Sequence, residues 1–545
     1  MAPFDGLAPT EQTAHLDPAH LGDIKGAFGS IAAQDHRRRN GWRARLWTLL
    51  AILGPGLIVM VGDNDAGAFG TYTAAAQDYS TSLLWTLPLM IPVLYVNQEM
   101  VLRLGAVTGV GHARLIFERF GRFWGAFSVI DLFLLNALTI VTEFIGVTLG
   151  LSYLGLPKEL GVVAAAAVVV LAASTGSFRS FERFMMVFVF GSLALVPIVF
   201  MVHPPAAQVA HDLLTPQMPK DGKLSDVMLM IIALVGTTIA PWQLFFQQSY
   251  VIDKRITPRF MAYEKLDLWI GITFVIVGAV AMTAFTAAVF DGSPLHGHFT
   301  DAGAVARGLE QHAGRLAGVL FAIALIDASI IGAGAVSLST AYAIGDVFRI
   351  KHSLHRKPSE AAGFYLVYGG LIAVAAALVL LPGAPLGLLT NAVQTLAGVL
   401  LPSATVFLLL LCNDKAVLGP WVNGRWLNLF TGGVIAVLVM LSVILTASVL
   451  YPGIGAPMIL AILGGGSALT LAIWAGASLR RSGRPASPVG RRSRLAWRMP
   501  PLEQLPPPRL TVTEKVWMGV LRGYLAVAGG LVLVRIAQLI ISGHT

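Results

Sequence analysis

Charge and sulfur are what this sequence has least of. Lysine, arginine, aspartate and glutamate together make up 12% of its 545 residues, and it holds a single cysteine, Cys412. One cysteine excludes an intramolecular disulfide and any metal cluster built on several thiolates. So small a charged fraction cannot clothe a soluble protein of this length, whose core needs a far larger polar surface. No nucleophile–base pair and no nucleotide-binding loop stands at membrane depth or in the basic loops, which argues against an enzyme. The run Gly464-Gly465-Gly466 falls in an apolar stretch, where glycine serves close helix packing. No cleavable leader is expected, because the segment before the basic run His36 to Arg45 is polar.

What the chain does have is hydrocarbon. Hydrophobic residues reach 56% and the mean hydropathy is +0.73. They come in blocks of roughly twenty, the length that crosses a bilayer as helix. Such blocks lie near 47–77, 81–102, 125–153, 160–175, 184–203, 226–250, 266–290, 315–343, 362–382, 387–411, 427–450 and 457–478, with another near 516–541 that carries Arg522 and Arg535. The expectation is an all-α, multi-pass membrane protein. The net charge of +9 does not point to nucleic acid, because the basic residues gather in alternate loops, the orientation signal of membrane proteins. With the N-terminus in the cytoplasm, the inner loops hold Arg103, Arg114, Arg119, Arg122, Arg179, Arg183, Lys254, Arg255, Arg259, Arg349, Lys351, Arg356 and Lys357. The placement expected is the plasma (inner) membrane. Residues 1–46 read as a cytosolic tail with room for an interfacial helix, 47–412 as the core, 413–478 as additional transmembrane helices, 479–513 as a disordered basic linker, and 514–545 as a C-terminal hydrophobic helix.

Two of the spans are interrupted. The first reads Gly54-Pro55-Gly56 and then Gly62-Asp63-Asn64-Asp65-Ala66-Gly67. A charge at mid-membrane costs roughly 2.5–3.5 kcal/mol on insertion scales, so such acids face a cavity or an ion. The neighbouring glycines permit unwinding, and unwound carbonyls beside a carboxylate suit a cation. The sixth span breaks at Gly236-Thr237-Thr238-Ile239-Ala240-Pro241, and its Gln243 and Gln247 stand one turn apart on one face. Breaks in spans one and six imply two inverted five-helix repeats, 47–203 and 226–412, with a substrate site at midplane where they meet.

These residues resemble a known family. Gly54-Pro55-Gly56 followed by Asp65-Ala66-Gly67-Ala68 is similar to the first-helix signature of the NRAMP divalent-metal transporters, normally Gly-Pro-Gly and then Asp-Pro-Gly-Asn. Ala240-Pro241-Trp242 falls where that family has Met-Pro-His. Glu143 in Glu143-Phe144-Ile145-Gly146 matches its third-helix glutamate, and Gln394 its tenth-helix glutamine. The stretch Val417-Leu418-Gly419 with Asn423 resembles the segment after helix ten. The resemblance covers roughly 47–450 and implies a LeuT-type fold, a bound divalent metal as substrate and no resident cofactor. A monomer is sufficient for such a site.

The departures carry as much as the matches. The family's methionine is Ala240 here, its asparagine ligand is Ala68, its sixth-helix histidine is Trp242, and its third-helix aspartate is Ile140, while Asp63 is an added acid. Losing a thioether disfavours soft metals. A widened site of Asp65, Gln243, Gln247 and Gln394, with carbonyls at Gly62 and Thr237, is expected to take a partly hydrated Mg²⁺, Mn²⁺ being tolerated. This resembles the NRAMP-related magnesium branch. With the histidines outside the apolar spans, uncoupled transport is expected. The alternatives are a proton-coupled Mn²⁺/Fe²⁺ symporter with Glu143 and Asp327 as the proton path, a sodium-coupled organic-solute carrier, which Asp63 and Asp65 disfavour, and a cation channel or non-transporting metal sensor. Asp327 stands where the family usually has an apolar residue, and a second-ion role is open to it.

Overall fold

The structure is a computed structural model. It describes residues 14–35, 37–219, 222–382, 386–451, 454–479 and 497–507, the short pieces 494–495, 518–519 and 521–523, and positions 530 and 534. The expected C-terminal hydrophobic helix therefore lies almost wholly outside the described residues.

Helices occupy the apolar stretches in chain order. The first span is three pieces: α1 (Trp42–Ile52), α2 (Pro55–Val61) and α3 (Ala66–Tyr79). Then come α4 (Thr86–Thr108), α5 (His112–Phe120), α6 (Arg122–Leu154), α7 (Lys158–Ala173), α8 (Phe178–Gly191), α9 (Leu195–Val202) and α10 (Ala206–Leu214). The second half holds α11 (Leu224–Thr238), α12 (Pro241–Asp253), α13 (Met261–Phe290), α14 (Ala302–Ala313), α15 (Arg315–Phe348), α16 (Ala362–Leu380) and α17 (Leu386–Asn413). A short α18 (Lys415–Leu418) leads to α19 (Arg425–Leu450) and α20 (Ala456–Leu479). Among the described residues seven helical spans are long and apolar enough to cross a bilayer, and ten if each of three bent pairs counts as one span.

Breaks follow from local chemistry. Pro55 and Pro241 each stand at the first positions of a helix, where a missing N–H costs nothing. Gly54 takes φ 155°, and a Cβ there would overlap Glu182. Gly56 lets α2 cross α13 closely, since a Cβ would lie 2.6 Å from the backbone nitrogen of Leu268. Asp267 of α13 then caps α2, accepting from the N–H of Gly56 at 2.7 Å and of Leu57 at 3.3 Å. Nearby, the buried Lys254 ammonium donates to Glu182 at 2.7 Å and to the carbonyl of Leu53 at 2.9 Å, which holds the end of α1.

The N-terminal segment differs from the expected tail. Residues 14–35 are folded onto the end of the bundle that carries the basic loops, and the first α-helix begins only at Trp42. A hairpin of β1 (Ile24–Gly26) and β2 (Gly29–Ile31) lies on α1 at Ala51. The segment's polar backbone is matched by guanidinium donors: in the hairpin Arg179 to the carbonyl of Gly26 (3.1 Å) and Arg183 to that of Ala27 (2.9 Å), and before it Arg255 to that of Ala19 (2.8 Å). The Ala27 N–H reaches Glu182 at 2.6 Å, and Asp17 pairs with Arg356 at 2.5 Å. The linker reading is likewise corrected for its described part. Arg119 donates to the Pro506 carbonyl at 2.6 Å and the Trp421 indole to that of Arg494 at 2.8 Å, so this piece is docked rather than free.

Candidate functional site

The first break is a short irregular turn. The N–H groups of Asp63 and Asn64 bond back to Met60 (3.2 Å) and Val61 (3.1 Å), and the chain then extends at Asp65, with φ −74° and ψ −175°. Asp65 is the N-cap of α3, accepting from the Ala68 N–H at 2.9 Å. The second break runs through Ile239 and Ala240, both extended or irregular, before α12 starts at Pro241. The two broken spans touch: the Tyr72 hydroxyl of α3 lies 2.7 Å from that of Thr238 in α11, and Gln243 of α12 donates to Asp63.

Between the breaks lies a cavity of about 40 Å³. Asp65, Gly67, Thr237, Ala240 and Trp242 line it from the broken spans, and Thr139 and Thr142 from α6. At roughly 30 Å³ per water this holds one water or one bare ion. Glu143 of α6 accepts from the Ala66 N–H at 3.2 Å, which sets its carboxyl near Asp65, the residue just before Ala66. Its other oxygen is buried without a partner.

The expected residues thus divide. Asp65, Thr237 and Ala240 share the cavity, and Glu143 stands beside it. Asp63 and Gln243 instead form a chain with Gln98, whose amide donates to Gln243 at 2.8 Å. Gln243, expected among the ligands, has its amide engaged by Asp63, itself an expected site residue. Gln247 is fully buried with both amide atoms unpartnered, and it does not line the cavity. Gly62 packs under α15, where a Cβ would lie 2.9 Å from Ile331, and Ala68 contributes only its capping N–H. Gln394 lies in α17 with the lining residues Thr390 and Val393, but its side chain is outside the described ones. Ala240 and the buried Trp242 both line the cavity. Asp327 borders a different cavity altogether.

Sequence reasoning missed Gln98, Thr139 and Thr142. Gln98 had a signal, a polar amide inside an apolar span; the threonines had none, since a hydroxyl can bond its own helix. Among the described residues no three His, Cys, Asp or Glu side chains converge as a metal-binding group. A cation in the cavity would draw on Asp65 and on backbone and hydroxyl oxygen.

Residues 56–448 match the profile of the family described as Nramp, natural resistance-associated macrophage protein-like. The chain belongs to the Nramp family. Similar Nramp relatives include the divalent metal cation transporter MntH of Ralstonia nicotianae, 28% identical over 397 residues, which span 70% of this chain and 87% of that protein. MntH of Bacillus subtilis is 25% identical over 417 residues, or 73% and 92% of the two chains. The fold is likewise that of solved Nramp structures. A manganese transporter of Eremococcus coleocola, crystallised with an aromatic bis-isothiourea substituted compound, superposes with a TM-score of 0.64 at 21% identity. That match covers 85% of this chain and 99% of the other. The expected LeuT-type architecture is therefore the observed one, and the chain is a multi-pass membrane protein of a divalent-metal transporter family.

Proposed function

We propose that this chain moves a hard divalent cation, Mn²⁺ foremost, across the plasma membrane with Asp65 as its charged ligand, and that a proton leaves the site as the metal enters. The observation that carries the reading is a second buried carboxyl at the one-ion cavity between the two breaks: Glu143 is bonded to the Ala66 N–H, next to Asp65, and keeps one oxygen unpartnered. Two carboxyls buried so near each other do not both stay ionised, and the pair keeps a proton. A cation that takes up the Asp65 lone pairs displaces it, and the proton passes to Glu143 and onward. This favours coupled transport over the uncoupled mechanism expected from the missing histidine. The relatives' description as divalent metal or manganese transporters favours Mn²⁺ in the same direction.

Thr237 and Ala240 would add oxygen from the second break, with Thr139 and Thr142 as hydroxyl neighbours. Asp63, with Gln243 and Gln98, forms a polar step next to the break. The basic end faces the cytoplasm on the positive-inside bias, which puts the N-terminal hairpin there. Mg²⁺ is the second reading, favoured by one feature: Ala240 supplies no sulfur where the resemblance places a thioether.

Proteoliposomes loaded with a pH dye test this. Mn²⁺ added outside should enter and acidify the lumen, and Glu143→Gln should lose the acidification. Mg²⁺ influx with no Mn²⁺ influx and no acidification would establish the second reading instead. A protein that moves neither ion would refute both.

A further inference from the structure

On the far side of the first break lies a larger cavity, of about 210 Å³, between that break, the junction of α8 and α9, and helices α13 and α15. Its walls are almost wholly apolar, Phe69, Leu195, Val196, Phe274, Val277 and Ile331 among them. Beside the hydroxyls of Ser192 and Thr273, two polar side chains line it, Asn64 from the break and Asp327 from α15, respectively 7% and 9% exposed. The Asn64 amide nitrogen is held by the Val275 carbonyl at 3.1 Å, which leaves its oxygen buried without a partner. One carboxyl oxygen of Asp327 is buried and unpartnered as well.

Two glycines make room for these groups. A Cβ at Gly191 would lie 2.7 Å from the Asp327 carboxyl carbon, and a Cβ at Gly278 would overlap the Asn64 amide. The hydroxyls on the walls cannot serve as donors, because Ser192 is bonded to the Val189 carbonyl at 2.7 Å and Thr273 to that of Trp269 at 2.9 Å. The site therefore offers two unpartnered oxygen acceptors among apolar walls, with its hydroxyls already spent. A bare metal ion would find too few oxygens there. What complements it is a charged donor on a hydrocarbon stem. At the rim Leu193, Val196 and Val277 are 44%, 43% and 57% exposed on the bundle surface, so the way in is from the lipid.

We propose that this cavity binds a lipophilic primary ammonium ion, its ammonium on Asp327 and Asn64 and its alkyl chain against the apolar walls. The volume holds about seven atoms of water size, which suits a six-carbon amine. Asn64 is next to both Asp63 and Asp65 in the chain, so an occupied cavity braces the break and slows metal transport without competing for the metal.

Equilibrium dialysis of labelled hexylamine against the purified full-length protein tests the binding directly, independently of any transport reading. Saturable binding is expected, weakened at least about tenfold in Asp327→Asn by loss of a charge-assisted bond. Hexanol, which lacks the charge, should bind the two proteins alike. Gly191→Ala, whose methyl must displace the carboxyl, is a second variant in case the first does not fold, and it should weaken hexylamine likewise. In transport assays hexylamine should lower the maximal rate and leave the metal concentration for half-maximal rate unchanged. Hexylamine binding that is absent, or equal in both variants and the unaltered protein, overturns the proposal. So does a loss of proton movement in Asp327→Asn without any amine binding, which would make the cavity a proton relay.

Discussion

At the scale of the residue, Asp65 has two roles that substitution can separate. It caps α3 through the Ala68 N–H, and it faces the one-ion cavity beside Glu143. Asparagine caps a helix about as well as aspartate, whereas alanine forfeits about 1 kcal/mol. Asp65→Asn should therefore keep the elution profile and melting temperature of the unaltered protein while Mn²⁺ uptake falls to background. Uptake that survives Asp65→Asn would place the ion elsewhere. The importance of Asp65 was readable from a charge amid apolar residues. The partnership of Asp63 with Gln243 was not, because no spacing rule says which of two adjacent acids turns toward which broken helix.

At the scale of the element, the N-terminal segment is a strap across the start of the first span. Its hairpin touches α1, Arg179 and Arg183 reach it from α8, and Arg255 follows α12. Any outward movement of α1 must break these contacts. Burial holds the His15 imidazole at a pKa of about 4, and burial also lowers those of His20 and His355. A released strap regains ordinary histidines near 6.5, so it binds protons that the docked one does not. Docking is therefore full above about pH 6.5 and weakens as pH falls toward about 4. His352 works the other way: burial lowers it, but the Asp346 carboxylate outweighs that and raises it. Burial pushes the Asp17 carboxyl up, yet Arg356 and two backbone N–H groups hold it below the ordinary range, so its contribution is lost only in stronger acid. Hydrogen exchange across 14–35 should accelerate, after correction for intrinsic rates, between about pH 7.5 and about pH 5. Unchanged protection would show that the histidines do not control the strap.

At the scale of the whole molecule, orientation is the property that charge bias alone predicts, and the lone Cys412 makes it easy to check. Cys412 is fully buried, so a single introduced cysteine can be labelled against a silent background. Lys357→Cys, in the basic loop after α15, should react with an impermeant maleimide only once the cytoplasmic side is opened. His296→Cys, in the loop after α13, should react in intact cells. The reverse pattern would invert the assignment of the strap and of the direction of ion release.

Composition and periodicity by themselves determined that this chain is a helical membrane protein, where its spans fall, and that spans one and six are broken around Asp65 and Ala240-Pro241. Each of these is local: an apolar block, a proline and a charge in hydrocarbon have the same meaning in any surrounding. Only the tertiary structure decided which side chains meet. It placed Glu143 on the N–H next to Asp65, paired Gln243 with Asp63, set Trp242 beside Ala240 in the cavity wall, and gave Asp327 a cavity of its own. It also turned a polar tail into a strap, because the arginines that satisfy the strap's carbonyls come from distant loops. Such pairings depend on how broken helices rotate when they pack, and a glycine such as Gly56 or Gly191 acquires its meaning only from the helix that crosses it.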